Sequence, residues 1–98
     1  MIFATALFCT ADRVAVQLML VLAGQGRSVP QDVSVMGFDD LPLARMTQPQ
    51  LTTLGQDVAG KARATVEMLV RHIRDKSAPA ERIQQEIWLV ERGTVRRI

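Results

Sequence analysis

The sequence is poor in the residues that most catalytic and metal sites require. It has one cysteine and one histidine among 98 residues. Cys9 therefore cannot form a disulfide within the chain, and its apolar neighbours indicate a small buried hydrophobic side chain rather than a nucleophile. His72 is predicted on the solvated face of a helix, so no Ser/His/Asp or Cys/His set can be assembled. We expect no enzyme activity and no cofactor.

The chain also has no apolar run long enough to cross a membrane. The run that begins at Met1 is interrupted by Asp12 and Arg13, far short of the roughly 20 residues that a membrane-spanning helix needs. A secretory signal would have Lys or Arg before its apolar run, and this run has none. A cytoplasmic protein is expected, and the abrupt start on a strand pattern predicts that an upstream segment is missing.

Positive charge is not concentrated in any segment. Twelve basic and 10 acidic side chains give a net charge of +2, and the only local excess is Arg92, Arg96 and Arg97, which we interpret as a frayed, solvated tail. A helix-turn-helix is excluded over residues 13–36, because Ser28-Val29-Pro30 and the β-branched run after it leave no room for a recognition helix. The glycines at 24 and 26 follow a helix, so they are a stop signal and not a phosphate loop.

The chain contains an alternating pattern of strands and helices around the stretch VSVMGFDD. Strands are predicted at 4–9, 33–40, 51–54 and 84–92, helices at 12–23 and 57–74, and a helical turn at 41–46. This β-α-β order, used twice, predicts an α/β fold with a mostly parallel sheet and flanking helices. A chain of this length fits one small domain.

The candidate site is the acid pair that ends the central strand. Ligands of open α/β sheets bind outside the carboxyl ends of the strands, where Asp39 and Asp40 are predicted to lie. The pair could instead cap the turn that begins at Leu41, or join Asp12 in a carboxylate cluster for Mg²⁺. One of the two acids could cap the turn while the other points into a cleft.

Both helices are predicted to have apolar surfaces that packing against one face of the sheet does not bury. After Asp12 in the first turn, only Arg13 and Gln17 are strongly polar in the helix 12–23, so it is expected to be buried on more than one side, with one side facing a partner. The helix 57–74 carries one apolar stripe, composed of Val58, Ala62, Val66, Leu69 and Ile73.

Four blocks of the sequence, ALFCTADRVA, GRSVPQDVSVMGFDDLPLA, PQLTTLGQD and LVERGT, occur in an order and spacing that resemble a known family. They resemble the effector-binding domain of the lactose-repressor and galactose-repressor (LacI/GalR) family of bacterial transcription regulators, over nearly all of residues 4–95. The resemblance implies a partial type I periplasmic-binding-protein-like fold, a sugar-like effector between two subdomains, and a DNA-binding headpiece as the only DNA contact.

The resemblance also divides the chain. Residues 1–98 would be a C-terminal fragment of the effector-binding and dimerisation domain, without the headpiece and most of the N-terminal subdomain. Residues 4–56 would form the core of the C-terminal subdomain, 57–75 a helix that normally packs in the N-terminal subdomain, and 84–95 the returning strand.

The resemblance assigns roles to individual residues. Asp39 would contact the effector, which leaves Asp40 to cap the turn at Leu41. Two further residues would bind the effector: Gln56, near the crossover between subdomains, and Asp12, the second member of a strand-end Asn-Asp pair whose Asn is replaced by Ala11. The implied interface of a homodimer contains Arg13, Val16, Gln17, Leu18, Leu20, Leu41, Ala44 and Arg45. The favoured function is therefore the sensing and dimerising module of a ligand-responsive repressor. The alternatives are a fragment of a periplasmic sugar-binding protein, which the missing signal segment disfavours, and a Mg²⁺-dependent enzyme that uses the three aspartates.

Overall fold

The computed structural model describes residues 4–98, so the first three residues of the apolar N-terminal run lie outside the described part. The elements in chain order are β1 (Ala6–Phe8), α1 (Asp12–Gly24), β2 (Ser34–Met36), a 3-10 helix (Pro42–Arg45), β3 (Thr53–Gln56), α2 (Val58–Arg74) and β4 (Ile87–Val90). The predicted order of elements is confirmed. β1, β2 and β4 are shorter than their sequence patterns indicated, and β3 has the predicted length but begins two residues later than the predicted range of 51–54.

The strands confirm the predicted parallel arrangement. β1 and β2 are parallel, with Ala6 opposite Ser34 and Phe8 opposite Met36. Parallel bridges continue from β2 to the third segment, joining Met36 to Thr52 and Asp39 to Gly55, and β3 pairs with β4. The carboxyl ends of β1, β2 and β3 therefore lie along the same edge.

The chain divides into two compact units. The first comprises Trp88–Ile98 and the described part of Met1–Gly55, and the second is Gln56–Ile87. The second consists mainly of α2, whose start is capped by Asp57, because its Oδ1 accepts a hydrogen bond of 2.9 Å from the Gly60 N–H. Exposed residues of the predicted stripe on α2 are Val58, Val66, Leu69 and Ile73. The described residues therefore leave this stripe largely uncovered.

The core of the first unit lies between α1, the strands and the 3-10 helix. Its buried apolar residues are Cys9, Ala15, Val16, Leu22, Val33, Val35, Ala44 and Leu51. Cys9 is buried, as predicted, and desolvation raises the pKa of its thiol. Within residues 4–98, no helix is both long and apolar enough to cross a membrane.

The segment after β4 is integrated into the first unit. The Thr94 hydroxyl donates to the Val35 carbonyl at 2.6 Å and accepts from the Thr52 N–H at 2.9 Å. The Arg96 guanidinium donates to the Pro30 carbonyl at 3.2 Å. Arg96 and Arg97 are exposed, as predicted, but the prediction that the tail is frayed is wrong, because Thr94 and Arg96 form hydrogen bonds with neighbouring segments of backbone.

Candidate functional site

The loop that follows β2 is held from both sides at the strand-end edge. On one side, the Asp12 N–H donates to the Phe38 carbonyl at 2.9 Å. On the other, the Asp39 N–H donates to the Leu54 carbonyl at 2.8 Å. The acid pair therefore lies where adjacent parallel segments end, which is the position at which sheets of this class bind ligands.

The backbone of the acid pair has an uncommon conformation. Asp39 has φ 116° and Asp40 has φ 55°, in the half of conformational space that residues with a side chain rarely occupy. Such conformations cost about 1–3 kcal/mol each and persist only where the surroundings impose them, most often at ligand sites. Asp39 is partly buried. Backbone strain and strand-end position thus coincide at the residue that was predicted to contact a ligand.

Asp40 is not the cap that the sequence predicted. The residue before the 3-10 helix is Leu41, which makes no side-chain cap. Asp40 Oδ1 instead accepts a hydrogen bond of 2.7 Å from Arg92 Nη2 in an ion pair whose side chains are only 20% and 11% exposed. The capping prediction failed because the C-terminal segment supplies a charged partner, and local spacing could not show it.

Asp12 links three segments beneath this edge. It is fully buried, and its Oδ2 accepts from the Leu41 N–H at 2.7 Å while its Oδ1 accepts from the Thr53 hydroxyl at 2.6 Å. Gly37 permits this arrangement, since a Cβ at that position would overlap Asp12 Oδ1. Asp12 therefore lies at the candidate site, but its carboxylate is directed into the protein.

The remaining predicted contact, Gln56, is the last residue of β3 and belongs to the second unit. Next to it, Gly55 allows the Trp88 indole to lie against the backbone, because a Cβ at Gly55 would overlap the ring. Trp88 is still 49% exposed. This ring packs on β3, which accounts for the missing side chain at position 55.

Two of the three carboxylates of the alternative magnesium cluster have other partners within the chain. Asp12 is engaged by Leu41 and Thr53, and Asp40 is paired with Arg92. Over residues 4–98, no three His, Cys, Asp or Glu side chains are grouped so that they could hold a metal ion. The structure therefore does not assemble the carboxylate cluster of Asp12, Asp39 and Asp40.

Sequence reasoning missed two partners of the site aspartates: Arg92, which pairs with Asp40, and Thr53, which donates to Asp12. Both lie in blocks that the sequence had singled out, LVERGT and LTTL, but neither block indicates which acid its residue contacts. The only available signal was that a half-buried acid pair requires a compensating cation. Twelve basic residues were candidates, so the partner could not be chosen.

The exposed side of α1 borders two surface clefts of about 690 Å³ each. Both clefts are lined by Val16 and Met46, and Met46 is 76% exposed. The predicted interface residues that are exposed are Arg13, Gln17, Leu20 and Arg45, those that are partly buried are Leu18 and Leu41, and those that are buried are Val16 and Ala44. Val16 and Ala44 thus pack mainly within the chain.

Comparison with known proteins identifies the family. The family model of the periplasmic binding protein-like domain matches residues 3–95. The ribose operon repressor of Haemophilus influenzae is 41% identical over 71 residues, which are 72% of this chain and 21% of the repressor. The transcriptional repressor PurR of Vibrio atlanticus is 36% identical over 92 residues, which are 94% of this chain and 28% of PurR.

Solved structures give the same result. The transcriptional regulator CelR in complex with cellobiose superposes with a TM-score of 0.83 and 30% identity, over 92% of this chain and 28% of CelR. A LacI family transcriptional regulator from Enterococcus faecalis with bound ribose has a TM-score of 0.83 and 28% identity, over 96% of this chain and 35% of that one. The chain thus spans between 21% and 28% of the two curated relatives. It belongs to the periplasmic binding protein-like domain family, and the proteins to which it is similar are transcriptional regulators, among them a member of the LacI family.

Proposed function

We propose that the chain supplies one wall of the effector site of a LacI-family transcriptional repressor. The observation that carries this proposal is the strained strand-end loop at Asp39, held by parallel neighbours on both sides. A carboxylate at such a position can accept hydrogen bonds from adjacent hydroxyl groups of a sugar. Similar regulators have been solved with cellobiose and with ribose, so a sugar is the proposed effector class.

The three predicted effector residues take different roles in this proposal. Asp39 accepts hydrogen bonds from the effector. Gln56, at the end of β3, is a further contact with the effector. Asp12 acts from beneath, because its buried carboxylate binds Leu41 and Thr53 and so fixes the edge on which Asp39 is carried.

The proposed module binds its ligand without changing it. We infer a regulatory protein of the cytoplasm with no enzyme activity, in which effector binding shifts a repressor between two states. Such coupling between sites is typically worth about 1–3 kcal/mol. Operator DNA is not assigned to residues 4–98, in which α1 is followed by β2 rather than by a recognition helix.

The second part of the proposal is a homodimer formed through α1 and the residues after β2. Leu20 and Met46 are 62% and 76% exposed and line a cleft of about 690 Å³. Arg13 and Gln17 line the second cleft with Leu41. Exposed apolar side chains beside clefts are typical of association surfaces. We propose, separately, that the exposed apolar stripe of α2 packs against the N-terminal subdomain of the effector-binding domain.

The effector site can be tested by titrating the ¹⁵N-labelled chain with D-ribose and with cellobiose and following amide chemical shifts. One of these sugars is expected to shift the amides of Asp39, Asp40 and Gly55. Asp39→Asn should abolish these shifts without unfolding the loop, since Asn tolerates positive φ. Glu67→Gln removes an exposed acid on α2 and should leave them unchanged. Equal responses of the wild type and Asp39→Asn would refute the assignment.

A further inference from the structure

We propose that Arg92 is a positioning residue for the effector, because it holds Asp40 in the left-handed conformation that directs Asp39 into the site. The ligand half of this inference rests on the proposed function, since it takes Asp39 as the effector contact. The conformational half stands on the loop alone. It concerns the backbone of Asp39 and Asp40 and can be measured without any ligand.

Arg92 reaches the loop and the entry to β3 at the same time. Its Nη2 donates to Asp40 Oδ1 at 2.7 Å, and its Nη1 donates to the Leu51 carbonyl at 3.0 Å. Its own backbone N–H donates to Thr52 Oγ1 at 2.9 Å. One residue thus ties three chain segments together, and its guanidinium cannot move without breaking at least one charge-assisted hydrogen bond.

Asp40 needs such a tether because of its backbone conformation. The hydrogen bond from the Asp39 N–H to Leu54 lies before Asp40, and that from the Leu41 N–H to Asp12 lies after it. Between these anchors, Asp40 has φ 55° and its neighbour Asp39 has φ 116°. Positive φ is uncommon for an L-residue, although Asp and Asn tolerate it better than most, and two consecutive residues keep it only where the surroundings support it. The ion pair with Arg92 supports this conformation at Asp40 itself.

The ion pair also separates the roles of two chemically identical neighbours. The guanidinium of Arg92 compensates the charge of Asp40, and both side chains are at most 20% exposed. Asp40 is thereby assigned to holding the loop, and the proposed contact of Asp39 with the effector depends on that loop conformation. Substitution at Arg92 is expected to affect ligand binding through Asp39, although Arg92 itself does not contact the ligand.

The test measures the intraresidue amide-to-Hα nuclear Overhauser effect (NOE), which is strong for left-handed residues. Arg92→Ala should weaken this NOE at Asp39 and Asp40. Adding Asp40→Gly to Arg92→Ala should restore it at Asp39, because glycine adopts positive φ without a tether. Arg96→Ala, which removes hydrogen bonds to Pro30 and Gln31, is the matched control and should leave both NOEs unchanged.

Two results would overturn the positioning role. One is a folded Arg92→Ala chain that keeps both strong NOEs, and the other is a double variant in which Asp39 is not restored. If Arg92→Ala does not fold, Arg92→Lys replaces it. Its single amino group can still pair with Asp40 and should keep both NOEs, so a folded Arg92→Lys chain that loses them would equally refute the role.

The ligand measurement separates this inference from the proposed function. In a D-ribose titration, Arg92→Ala should bind about tenfold more weakly than the wild type, as expected for a misplaced contact, and the double variant should recover most of that loss. If neither D-ribose nor cellobiose shifts the wild-type amides, the proposed function fails. The NOE result then still decides whether Arg92 positions the loop.

Discussion

Replacement of Asp12 by alanine should destabilise the protein more than replacement of any exposed acid. Asp12 is fully buried and binds the Thr53 hydroxyl at 2.6 Å and the Leu41 N–H at 2.7 Å. A buried donor left without a partner costs about 1–3 kcal/mol. The Thr53 hydroxyl is buried and the Leu41 N–H is partly buried, so the sum is about 2–5 kcal/mol. That is a large part of the roughly 5–15 kcal/mol by which small domains are stable.

Asp12→Asn should cost less, because it keeps the shape and most of the hydrogen bonds. Its oxygen can accept from the Leu41 N–H, while its amide group faces the Thr53 hydroxyl, which can rotate to accept. We expect a loss of about 1–2 kcal/mol, since hydrogen bonds to a charged group are replaced by neutral ones. Thr53→Val removes the hydroxyl, and a double-mutant cycle between the two positions should give a coupling of about 0.5–3 kcal/mol.

The assay is urea unfolding followed by far-UV circular dichroism, with Asp32→Ala as the control. Asp32 is exposed and accepts one exposed hydrogen bond from the Ser28 N–H, so its replacement should change the free energy of unfolding by no more than about 0.5 kcal/mol. An Asp12→Ala chain as stable as Asp32→Ala would refute the reasoning. If it were also unable to bind sugar, Asp12 would be an effector contact rather than a structural residue.

Three further predictions follow from the exposed and buried side chains. Leu20→Glu should raise the dissociation constant of the dimer at least about tenfold in sedimentation equilibrium, because it buries an unpaired charge; Val14→Glu, outside both clefts, should not, and equal effects would contradict the interface. Near neutral pH, Cys9 should react with iodoacetamide more slowly in the folded chain than in urea, because a raised pKa lowers the thiolate fraction; equal rates would contradict its burial. Gly55→Ala should displace the Trp88 ring, change its fluorescence and cost about 1–3 kcal/mol; an unchanged spectrum and stability would contradict the packing.

The helices and their order could be predicted because their signals are local. Asp12 and Gly24 bound α1 in the structure, close to the predicted range of 12–23. α2 begins after a capping aspartate, Asp57, and ends at Arg74, within one residue of the prediction. Period, caps and stop residues act within a few positions along the chain. The parallel sheet followed from the alternation of strands and helices, since parallel strands require crossover connections.

The sequence by itself thus determined the α/β architecture, the strand-end position of the acid pair and the apolar excess of α1. Only the tertiary structure decided which acid does what: Asp40 pairs with Arg92 rather than capping a turn, and Asp12 turns inward to Thr53 and Leu41. The physical reason is the separation of these partners along the sequence. These partners are 29 to 52 residues apart along the chain, and a carboxylate with several donors within reach binds those that the packed backbone brings closest and shields from water.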